Sequence, residues 1–412
     1  MKTTLAPGLF ATAVAAVLTV PIAGATAFAS AGADSPRPQA AAATAQGPLI
    51  AWGEDDDGQL GDGSTMIEYS AIAVNAPSGL RATQARAGSF AIAVNSAGLV
   101  YAWGRGNQGE LGNGSFTSRS RPVKVHLPKG VTVTSARAGF EFAIALTSTG
   151  KVLTWGEGAS GELGNGRRAN HDLPVSVRLP RGVKITAVTA GADFAAALTS
   201  TGRVLTWGDN FVGELGNGNK ASTATPVYAR LPRGTKIKAI AAGTDRVFAI
   251  TSAGALLAWG GNTQGALGIG GPGIRRSPVR VHLPRGVKVL SASAGLLHSL
   301  ALTTTGKVLA WGDNEAGQVG DGTLTRRLAP VFVHLPKSAH IVAIAAGRYH
   351  SLALTRGGKV LAWGDGSVGA LGTGTNDNHK LPVQLSVPGT VIAIGAGPES
   401  YSSYAVVKKI ID

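Results

Sequence analysis

Tryptophan occurs seven times in the chain, at positions 52, 103, 155, 207, 259, 311 and 363, spaced by 51 residues once and by 52 thereafter. Each is followed by glycine at offsets 1, 6, 9 and 11, as in Gly53, Gly58, Gly61 and Gly63. Offset 8 is Leu in every copy except one, where it is Val319. A period kept this strictly restricts the chain to a repeat architecture, in which each unit buries its apolar face against its neighbours. Glycine is abundant, at 59 residues, and sits in phase with the repeat. It is therefore turn chemistry and not a disordered tract.

The unit from Ile341 to Ser386 shows the internal logic. Ile341-Val342-Ala343-Ile344-Ala345-Ala346 is short and apolar and ends at Gly347. Ser351 to Thr355 alternates with period two, Arg356-Gly357-Gly358 is a tight turn, and Lys359 to Trp363 is a third strand. A glycine-rich loop follows, and Pro382 to Ser386 reads as a fourth strand opened by proline, as suits an edge. Nothing in the unit has a helical apolar period. Four short antiparallel strands, repeated seven times, describe an all-β fold, a seven-bladed β-propeller. The chain ends with two strands of a last unit, Val391 to Ile394 and Tyr404 to Val407, and begins with a Trp-Gly strand, Leu49 to Gly53. Pairing the two ends closes the ring and leaves no free edge there. Trp52, Trp103, Trp155, Trp207, Trp259, Trp311 and Trp363 are expected to fill the wedges between blades. Which strand is innermost is not legible.

The first residues set the compartment. Lys2 precedes an apolar run, Leu9 to Ala23, and then Ala-x-Ala sites such as Ala27-Phe28-Ala29. This pattern predicts a secretory signal peptide over residues 1–31, a linker over 32–46 and the propeller over 47–412. No membrane span is expected after cleavage, and a secreted or wall-associated monomer follows. The absence of cysteine excludes disulfides, thiolate metal sites and cysteine catalysis.

Motifs with chemical meaning are few. Gly156-Glu157-Gly158-Ala159-Ser160-Gly161 fits a dinucleotide fingerprint, but that fingerprint needs a βαβ context which this chain lacks. His126, His282 and His334 share one phase of the repeat, and His298 and His350 another, which argues for packing or hydrogen bonding at strand ends. Glu54-Asp55-Asp56-Asp57 lacks the remaining ligands of a calcium loop and reads as a solvated part of the Trp-Gly loop. No nucleophile elbow is present. The expectation is a non-enzymatic protein with no cofactor and no metal.

The segments Ala346-Gly347-Arg348-Tyr349-His350-Ser351-Leu352-Ala353-Leu354-Thr355 and Gly358-Lys359-Val360-Leu361-Ala362-Trp363-Gly364, with the Leu-Gly-x-Gly loop, resemble the regulator of chromosome condensation repeat family over about residues 48–407. The resemblance implies a seven-bladed propeller. It includes a nuclear exchange factor for a small GTPase that also binds chromatin, so guanine-nucleotide exchange is one implied activity. Secreted β-lactamase-inhibiting propellers have similar blades, which makes inhibition of an extracellular enzyme another. The chain departs from the nuclear member. Its spacing leaves no room for an inserted β-wedge, and the family's histidine is replaced by Phe142, Phe194 and Arg246 in three units.

Lysine and arginine outnumber acids 38 to 23, and topology sorts them. In a four-stranded meander the second turn and the blade-to-blade link fall on one face. The second turns carry Lys151, Arg203, Lys307, Arg356 and Lys359, and the links carry Lys129, Arg181, Arg233 and Arg285. These nine residues predict a basic face for a macromolecular partner, an acidic protein or an anionic surface polymer. Nucleic acid fits less well, because aromatics for stacking are scarce.

Overall fold

In the computed structural model, residues 47–77, 82–87 and 89–408 are described; the expected signal peptide and linker lie outside them. Strands β1 to β28 form seven four-stranded antiparallel sheets. A complete blade is β23 (Ile341–Ala346), β24 (His350–Thr355), β25 (Val360–Gly364) and β26 (His379–Gln384). We label these positions A to D. The A strands β3 (Ala82–Ala87), β7 (Val133–Ala138), β11 (Ile185–Ala190), β15 (Ile237–Ala242), β19 (Val289–Ala294), β23 and β27 (Val391–Ala396) touch one another around the ring. The A strand is therefore the innermost.

The last blade joins the ends of the chain in the order β2 (Glu68–Ala73), β1 (Leu49–Gly53), β28 (Ser403–Val407), β27. Leu49 stands opposite Val406 and Trp52 opposite Ser403. The expected closure is present.

The core is not central but divided among the blade joints. One cluster combines Phe142, Ile144 and Leu163 of one blade with Val188, Ala197 and Trp207 of the next, and corresponding clusters fill the other joints. All seven tryptophans are fully buried. Each indole N–H donates to the carbonyl seven residues past the tryptophan of the preceding blade, as in Trp155 to Glu110 O at 2.8 Å and Trp207 to Glu162 O at 2.8 Å. Trp52 closes the cycle by donating to Ala370 O at 3.1 Å. The glycine at offset 9 lies on the indole of the following blade. A Cβ on Gly216, which has φ +60°, would stand 2.6 Å from Trp259 Nε1, so a larger residue there displaces the ring.

The outer strand departs from expectation. It begins at His379, not Pro382, and the pairing jumps from Gly364–His379 to Ala362–Val383. Pro382 lies inside this bulge, where a missing N–H interrupts no regular ladder.

Candidate functional site, the acid-free face

The A–B turns and C–D loops form one face of the disc, here the loop face. The B–C turns and D–A links form the other, the link face. Backbone bonds tie the second pair together: Ile185 N–H donates to Gly150 O, and Ser148 N–H to Thr132 O, with equivalents in other blades. The structure thus brings the two predicted sets of cations side by side. Lys129, Lys151, Arg181, Arg203, Arg233, Arg285, Lys307, Arg356 and Lys359 are all exposed.

The decisive feature is what the link face lacks. Every Asp and Glu among the described residues lies in an A–B turn, a C–D loop or the first two residues of an outer strand; none lies in a B–C turn or a D–A link. The ion pairs Arg105–Glu141, Arg246–Asp245 and Arg327–Asp321 belong to the loop face. With no carboxylate beside them, the link-face cations keep their field. Some are oriented by neighbours. The Arg203 guanidinium stacks 3.5 Å from the Tyr228 ring centre, Lys307 lies over Phe332, and Arg356 bonds His340 at 3.0 Å. Arg203, Tyr228, Arg230 and Arg233 border a shallow groove of about 440 Å³.

The histidines divide differently from expectation. His298 and His350 are fully buried, and each bonds a serine of the next blade: His298 Nε2 to Ser351 Oγ at 3.0 Å, and His350 Nε2 to Ser403 Oγ at 2.8 Å. Burial holds both imidazoles neutral, pulling their pKa down to about 3. Arg246, at the same position, reaches the next blade through Gly295 O and Leu296 O. His126, His282 and His334, by contrast, are exposed. They occupy the phase held in other blades by exposed Arg178 and Arg230, which sequence reasoning left out although the period identifies them. The position is an exposed rim, not a packing site.

The acidic run also differs from expectation. Asp55 is not solvated but fully buried, and its carboxylate accepts from Leu60 N–H at 2.6 Å. Asn210, Asn262 and Asn314 make the same loop staple in other blades. Desolvation raises Asp55 to about 7. Asp56 is exposed.

Carboxyls also sit in three consecutive blade joints. Glu110, Glu162 and Glu214 carry the carbonyls that receive the tryptophan N–H groups, and their side chains are buried. Burial pushes Glu110 up to about 7, and Glu162 and Glu214 up to about 8. A folded pKa above the unfolded value means that the native state holds extra protons between the two. Stability is then complete below the unfolded value and is lost as pH rises through 7 to 8. Between about pH 6.5 and 8, above the range in which the buried histidines give the opposite slope, the melting temperature is expected to fall, and the triple substitution E110Q, E162Q and E214Q to flatten the fall. A melting temperature that climbs over the same interval in the unmodified protein contradicts this.

A family model for the RCC1-like domain matches residues 37–331 and 127–402. The chain belongs to the RCC1-like domain family. The ultraviolet-B receptor UVR8 of Arabidopsis thaliana is 31% identical over 336 residues, covering 81% of this chain and 76% of that protein. Human HERC2, an E3 ubiquitin-protein ligase, is 33% identical over 356 residues, 83% of this chain but only 7% of the ligase. The crystal structure of Prp20p from Saccharomyces cerevisiae superimposes with a TM-score of 0.79 at 23% identity, covering 90% of this chain and 93% of that one. An RCC1-like propeller thus occurs in a receptor and in a ligase, so the fold specifies a scaffold and the work of this member is read from its own surface.

Proposed function

We propose that the protein is a secreted, non-enzymatic propeller that holds an anionic partner, an acidic protein or a surface polymer, on its link face. The observation that carries this reading is that, among the described residues, every carboxylate lies away from the face that holds the nine predicted cations, Arg178 and Arg230, all of them exposed. A ring of mutually unneutralised cations is held together at a cost in repulsion, and a polyanion that spans several blades relieves it by displacing counterions. The tryptophans and the neutral histidines are enclosed between blades and serve packing, while the carboxyls raised outside the joints, Asp193 and Glu157 among them, lie on the opposite, loop face. The Ala-x-Ala segment supports an extracellular setting.

The test is retention. Protein recovered from culture fluid, with its N-terminus determined, is passed over cell-wall material and over secreted proteins at low and high salt. Processing near residues 27–33 and salt-sensitive retention are expected. An intact Met1 in the cytosol, or retention indifferent to salt, contradicts the reading.

A further inference from the structure

Six outer strands carry proline at their fourth residue: Pro122 in β6 (Arg119–Lys124), Pro174 in β10 (His171–Ser176), Pro226 in β14 (Thr223–Tyr228), Pro278 in β18 (Arg275–Arg280), Pro330 in β22 (Arg327–Phe332) and Pro382 in β26. Proline offers no N–H to an incoming strand, so these edges are blunted against pairing. The outer strand of the closing blade, β2, has Ala71 instead. From Tyr69 to Ala76 it has neither proline nor a charged residue. Tyr69, Ser70 and Ala73 are exposed. As on the other outer strands, the second residue is bonded by the preceding blade, here by Gly374 N–H to Tyr69 O. Among the described residues no loop bond reaches Ser70 to Ala73. Among the described residues, one edge in seven is open.

We propose that β2 pairs, antiparallel about a two-fold axis, with β2 of a second copy of this chain. With Ala71 opposite Ala71, Ser70 faces Ile72 within the stretch that no loop bond reaches, and no charged residue lies in that stretch. The charge distribution favours this occupant and this direction. Outer strands run from the loop face to the link face, so antiparallel pairing sets the acid-bearing face of each copy beside the acid-free face of the other. Parallel pairing sets like beside like. A two-fold contact uses the same patch on both copies and stops at two, and the six proline-bearing edges block growth from any other blade. The dimer turns its two link faces in opposite directions. On the reading given under Proposed function, it bridges two anionic partners.

Association is measured by sedimentation equilibrium on the full secreted chain at about 0.15 M salt, where long-range repulsion between net positive copies is screened. A dissociation constant on the order of 10 µM is expected, in keeping with a small contact. Ala71→Pro inserts the residue that six blades already hold at this point, and it is expected to give a folded monomer with unchanged melting. Ser70→Lys charges the exposed edge and is expected to weaken association about tenfold. A wild-type monomer throughout the concentration range, or a dimer of undiminished strength in either variant, overturns the proposal. Neither outcome depends on whether the link face binds a polyanion.

Discussion

Deleting residues 47–53 is expected to abolish the single cooperative melting transition. Those residues contain β1, whose removal leaves β28 and β2 without a common partner. It also takes Ile50 and Trp52 from one joint cluster and Leu49 and Ala51 from the next, so both wedges beside the closing blade lose their filling. The hydrogen bond from Trp52 to Ala370 O disappears, and the cycle of tryptophan donors becomes an open chain. Stability of a repeat array is the sum of unit and interface terms, and a ring has one interface more than an open array of the same units. The truncated protein should melt in a broad, sloping transition, with limited proteolysis cutting first in the last blade. A sharp transition at the original temperature contradicts closure by the ends of the chain.

The second large effect is expected from Trp207→Ala. The side chain is wholly enclosed, packed among Phe142, Ile144, Leu163 and Val188, and the backbone of Gly164 presses on its indole. Truncation removes apolar contact and leaves a cavity that two rigid sheets cannot collapse, a loss of about 3–5 kcal/mol. Trp207→Phe separates packing from polarity, since most of the ring remains while Glu162 O loses its buried donor. A cost of about 1–3 kcal/mol is expected from that loss and the imperfect fit. Denaturant midpoints of the two variants measure the difference. Equal stability of Trp207→Ala and the unmodified protein rules out the wedge role.

How much of this was legible follows from what a repeat displays. Seven tryptophans in phase with four glycines announce blades of equal size, because side-chain volume and backbone freedom are properties of residue type. The acceptor of each indole N–H was not legible, since it is a carbonyl, which every residue has. Glu110, Gln59 and Ala266 serve equally in that place. The start of the outer strand was misplaced because proline at an edge has two explanations, strand opening and bulge, and the residues alone do not separate them. The buried Asp55 was hidden by its exposed neighbour Asp56 and by glycine at the same offset in other blades. The basic face needed topology as well as composition. The nine cations were found by phase, but the absence of acids beside them emerges only once every turn has been assigned to a face.

The link face is tested most directly by comparing two charge-neutralised variants on an immobilised phosphodiester polymer. Arg181, Arg203 and Arg233, all exposed on the link face, are changed to Gln in one. Arg167, Arg168 and Arg326, all exposed on the loop face, are changed in the other. Equal charge is removed from each, so net charge alone predicts equal loss. The account predicts that the link-face variant loses roughly tenfold or more in affinity and shows a shallower dependence on salt, by about one unit of slope per phosphate contact removed, while the loop-face variant binds as the unmodified protein does. Equal loss in the two variants, or loss confined to the loop-face variant, contradicts it.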